Sequence, residues 1–82
     1  MKANKLNEYG DTPLMCAANE GCINIVEKLL KRKDIDVNSA NIDGYTSLMC
    51  AADKGFEEIV KLLLSHPDID INLKVNLLAF LQ

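Results

Sequence analysis

The chain is 82 residues long, with 49 % apolar residues, 26 % charged residues and a formal net charge of −3. That is one small domain of globular composition, and the acidic balance argues against a free-standing nucleic-acid binder. The longest apolar runs, such as Leu77 to Leu81, are far too short for a membrane span, and three cysteines without Cys-x-x-Cys spacing (Cys16, Cys22, Cys50) fit free thiols in an intracellular, cytoplasmic setting better than a disulfide framework.

Residues 1–6 are a lead-in with Lys2 and Lys5 but no apolar signal core. A helix is predicted over 13–20. Thr12 is a good N-cap, and Pro13 sits at the first helical position, where its missing N–H costs nothing. Leu14, Ala17 and Ala18 make a narrow apolar stripe that lets a neighbouring helix approach closely. Gly21 ends the helix, because glycine tolerates the left-handed conformation found after helix ends. A second helix is predicted over 23–32, with Ile25, Val26, Leu29 and Leu30 on one buried face. The period then changes. Asp34-Ile35-Asp36-Val37-Asn38 alternates polar and apolar, as an extended segment with one face buried does. It leads to Asn41-Ile42-Asp43-Gly44, whose Asp-Gly is a strong turn signal, so a hairpin-like finger is expected there.

The pattern then repeats. With residues 41–72 written under 7–38, 17 of 32 positions are identical at an offset of 34, against about two by chance. Thr46, Leu48, Ala51, Ala52, Gly55, Ile59, Val60, Leu63 and Leu64 take the places of Thr12, Leu14, Ala17, Ala18, Gly21, Ile25, Val26, Leu29 and Leu30. Helices are therefore predicted over 47–54 and 57–65. Helices this short are marginal in isolation, so stability must come from stacking one unit on the next. The fold class is all-α: two helix-turn-helix units, 7–40 and 41–74, joined by a finger.

Gly10-Asp11-Thr12-Pro13-Leu14 with Ala17-Ala18, Gly21, Ile25-Val26, Leu29-Leu30 and Val37-Asn38 resembles an ankyrin repeat. Gly44-Tyr45-Thr46-Ser47-Leu48 with Ala51-Ala52, Gly55, Ile59-Val60, Leu63-Leu64 and Ile71-Asn72 resembles the next one, so an ankyrin-repeat solenoid is implied. There are departures from the family pattern. Met15 and Met49 stand where the family has a His that ties neighbouring loops together. Lys33-Asp34 and Pro67-Asp68 replace its usual loop Gly. Residues 75–82 lack both the turn Gly and the Thr-Pro of a third repeat and form an atypical apolar segment.

Four patterns suggest chemistry, and each has a plainer reading. Ser65, His66 and Asp68 offer a nucleophile, a base and an acid, but neighbours in sequence rarely converge on one centre; a solvated helix end is the simpler reading. His66-Pro67-Asp68 is also similar to the tripeptide of J-domain co-chaperones. The helix before it is not basic, and the same place in the first unit reads Arg32-Lys33-Asp34, so it reads as a variable loop. Asp34-x-Asp36-x-Asn38 and Asp68-x-Asp70-x-Asn72 open like calcium loops, but Ser39 or Leu73 stands at the sixth position and Tyr45 or Ala79 at the twelfth. Lys28, Lys31, Arg32 and Lys33 complement a helix C-terminus. No metal, cofactor or catalytic residue is expected.

The expected function is non-catalytic binding of a partner protein on a concave surface of finger tips and first helices. The family's variable contact positions map to Glu8, Tyr9, Asp11, Asn19 and Glu20, and to Ile42, Asp43, Tyr45, Asp53 and Lys54. The alternative is a truncated or self-associating array with a structural role. In that reading Leu73, Leu77, Phe80 and Leu81, a stripe of a short helix or part of a strand, cap the second unit or join two copies as a homo-oligomer.

Overall fold

The computed structural model of the chain describes residues 3–70 and residue 72. Four helices of eight residues each occupy the described part: α1 (Pro13–Glu20), α2 (Ile23–Leu30), α3 (Ser47–Lys54) and α4 (Glu57–Leu64). All four start at the expected residues, α1 and α3 behind threonine caps and α2 and α4 with no side-chain cap. α2 and α4 stop at Leu30 and Leu64, short of the expected 32 and 65.

The Thr12 side chain accepts from the Met15 N–H at 3.2 Å, and Thr46 accepts from Met49 N–H at 3.3 Å. These bonds satisfy donors that an isolated helix start leaves open. Gly21 and Gly55 close α1 and α3 at φ 75° and 74°, left-handed values that cost a side chain with a Cβ. The chain then turns directly into α2 or α4, so each unit is an antiparallel helix pair.

The two pairs stack side by side, α1 on α3 and α2 on α4. Leu14, Ala17, Ala18 and Val26 of the first pair share one core with Leu48, Ala51, Ile59 and Leu63 of the second. Ile35 and Val37 extend the core beneath the loops, while Asp34, Asp36 and Asn38 between them stay exposed. That is the expected alternation, but among the described residues it forms no strand. The pairing across the finger is limited to an antiparallel bridge between Ala40 and Thr46. One expectation fails outright: Ile25 is 49 % exposed. It faces away from the second unit, and nothing described covers that side.

A side-chain ladder sets the spacing of the units. The Asn38 amide donates to Asp68 O at 2.8 Å and accepts from Asp70 N–H at 2.8 Å. Asn4 makes the same pair of bonds to Asp34 O and Asp36 N–H. Ala3 beside it is buried, as is Val37 beside Asn38. Leu73, Leu77, Phe80 and Leu81, the expected cap or association stripe, lie outside the described residues.

Candidate functional site

Each finger is organised by one asparagine. Asn7 Oδ1 accepts from the Tyr9 and Asp11 N–H groups, both at 2.9 Å. Asn41 Oδ1 accepts from Asp43 and Tyr45 N–H, both at 3.0 Å. The two fingers are tied to each other as well. Asn41 Nδ2 donates to Asp11 Oδ1 at 2.9 Å, and Ile42 N–H donates to Tyr9 O at 3.1 Å. The loop tie absent with Met15 and Met49 is thus supplied by an asparagine amide and a backbone bond.

Between the fingers and the N-terminal helices α1 and α3 lies an open cleft of about 430 Å³. Asn7, Tyr9, Asp11, Met15, Cys16, Asn19 and Glu20 line it from the first unit, and Asn41, Asp43, Tyr45 and Cys50 from the second. Six of the ten expected contact residues meet there: Tyr9, Asp11, Asn19, Glu20, Asp43 and Tyr45. The other four do not line it. Glu8 and Ile42 are exposed on the fingers, Ile42 strongly so, and Asp53 and Lys54 are exposed in the last turn of α3.

Sequence reasoning missed Asn7, Asn41, Cys16, Cys50 and Met15 as wall residues. The signal was present, because Asn7/Asn41 and Cys16/Cys50 are identical pairs at the repeat offset. Both thiols are free. Burial pushes Cys16 above the usual thiol value, and the negative charges of Asp11 and Glu20 push it further. Burial does the same to Cys50, reinforced by Asp11 and Asp53 and opposed by Lys54. Both side chains are therefore protonated, weakly nucleophilic thiols at neutral pH.

The catalytic-looking patterns are engaged in local structure instead. Ser65 Oγ donates to Leu62 O at 2.9 Å, and His66 Nδ1 accepts from Asp68 N–H at 3.1 Å, so both finish α4. Asp34 pairs with Arg32 at 3.0 Å, which holds its carboxyl below the ordinary carboxylate range. Asp36 Oδ1 accepts from Asn38 N–H at 3.0 Å. No helix among the described residues is long and apolar enough to cross a membrane.

Comparison with curated proteins finds no match to the chain. A family model described as ankyrin repeats, in three copies, matches residues 1–75. Most of the sequence is covered, and the four-helix stack with its fingers is the architecture that the match implies: the chain belongs to the ankyrin repeat family.

Proposed function

We propose that the chain is a non-catalytic module that binds a partner protein across the cleft, with contacts from the fingers and from α1 and α3. Ankyrin repeats are generally protein–protein interaction modules. One observation carries the reading: contact positions from both units converge on one open, polar cleft with a tyrosine from each finger. Tyrosine offers a large ring with a polar tip and is a frequent interface anchor. Tyr9 is 57 % exposed, so its ring is available without unfolding anything. The working compartment is intracellular, and no cofactor is required.

The test is affinity capture with the intact chain and with a Tyr9→Ala, Tyr45→Ala variant. The variant should lose the partners that the intact chain retains, and Tyr9→Ala alone, at an exposed ring, should weaken capture with little change in melting temperature, whereas Tyr45 also packs on the core. Equal capture by the intact chain and the double variant moves the site off this cleft.

A structural role in self-association has one observation in its favour. The outer face of the second unit carries an apolar groove of about 380 Å³ lined by Ala52, Gly55, Glu57, Val60 and Lys61. Light scattering over a concentration series tests it, and a constant monomer mass excludes it.

A further inference from the structure

We propose that the cleft receives an arginine side chain carried on a basic segment of the partner protein. This deepens the protein-binding reading above and depends on it.

The charged residues of the lining are Asp11, Glu20 and Asp43, and no cation lines the cleft. Asp11 accepts from the amides of Asn41 at 2.9 Å and Asn7 at 3.3 Å, which orient its carboxylate without neutralising it. Among the described residues the one ion pair is Arg32–Asp34, beyond the end of α2. The lining therefore holds three carboxylates with no ion pair among them in a partly enclosed space, with Lys54 the cation near its Cys50 end. After burial, the nearby carboxylates push both thiols up, against the opposing effect of Lys54 on Cys50.

Carboxylates alone would take any cation, but this cleft also has two tyrosines, one on each finger. A guanidinium suits that combination. Its planar fork bonds a carboxylate with two parallel N–H groups while its face lies on an aromatic ring. A lysine ammonium supplies the charge without the planar geometry. Phosphate and nucleic acid are disfavoured by like charge. A metal is disfavoured because no three His, Cys, Asp or Glu side chains converge among the described residues.

The test titrates the ¹⁵N-labelled full chain with a hexa-arginine peptide, with hexalysine of equal charge, and with hexacitrulline, which keeps the planar group but not the charge. Hexa-arginine should shift the amides of Tyr9, Asn19 and Tyr45, and should bind several-fold tighter than hexalysine; hexacitrulline should not bind. The Glu20→Gln, Asp43→Asn variant should bind hexa-arginine about tenfold more weakly, about 1.4 kcal/mol. The control variant Glu57→Gln, Glu58→Gln removes the same charge outside the cleft and should bind as the wild type does. Equal weakening in both variants, or shifts that miss the cleft, overturns the proposal, as does equal binding of hexalysine. If captured partners still depend on Tyr9 and Tyr45 in such a case, the protein-binding site stands and only the arginine assignment falls.

Discussion

Ile25 and Ile59 are the same residue at the same place in successive units, yet Ile25 is 49 % exposed and Ile59 fully buried. The reverse holds for their neighbours. Val26 and Ala18 are fully buried, while Val60 and Ala52 are only half-buried. Each unit thus has two apolar flanks, and the stack covers one flank of each. The outer flanks differ in chemistry. The exposed side of the first unit carries Lys28, whose equivalent Leu62 packs toward the first unit beside Leu30, whereas the outer side of the second unit carries the apolar groove of Ala52, Gly55 and Val60. Phe56 packs over Gly21, but nothing lies within 4 Å of a Cβ built at Gly55. Burial here is a property of the neighbouring unit, not of the residue.

The isoleucine pair gives the largest expected effect. Ile59→Ala should cost about 2–5 kcal/mol in chemical denaturation, because it leaves a cavity between the units. Ile25→Ala should cost less than about 1 kcal/mol, since that side chain is already half in water. Equal losses would break the comparison and mean that the outer flank of the first unit is covered in solution.

The glycine pair sharpens it. Both glycines have left-handed φ, so alanine at either position should cost about 1–2 kcal/mol in strain. A Cβ at Gly21 would also lie 2.9 Å from the Phe56 ring. Gly21→Ala should therefore destabilise more than Gly55→Ala, and Phe56→Leu in the Gly21→Ala background should recover part of the difference. No recovery would mean that the ring does not rest on Gly21.

The four helices were legible in the sequence because their signals are local: a threonine cap, a glycine stop and an apolar stripe. Ile25 was misplaced for the same reason. The repeat pattern assigns equivalent residues one environment, and which flank is covered depends on the adjacent unit. The cleft was half legible. Tyr9, Asp11, Glu20, Asp43 and Tyr45 follow from their positions in the repeat, whereas Asn41 emerged only with the bond it makes across to Asp11. An asparagine in a finger gives no sign in the sequence of which loop it will reach.

The cysteine pair compares the units within the cleft and has the smallest effect on stability. Cys50 is buried between the units and Cys16 half-exposed, so iodoacetamide should modify Cys16 before Cys50. Mass-spectrometric timing reads the order directly. Both thiols are raised in the folded state, so the stability they contribute is present below pH 9.0, the ordinary thiol value, and is lost as pH rises through the higher folded values. Denaturation midpoints should therefore fall at alkaline pH, and less so in a Cys16→Ser, Cys50→Ala variant.

The asparagine ladder has a mechanical consequence. Asn38 grips a carbonyl and an N–H two residues apart, so sliding one unit along the other stretches both bonds together, while a slight tilt strains them less. The stack should bend like a hinge and resist shear like a clasp. Its clasps also keep time. The amide hydrogens of Asp36 and Asp70 sit on exposed residues, where deuterium would normally replace them quickly, yet each is held by an asparagine oxygen at 2.8–2.9 Å. Their exchange half-lives should measure how often neighbouring units part: the Asp70 hydrogen for the seam between the two helix pairs, and the Asp36 hydrogen for the grip of the N-terminal segment on the first.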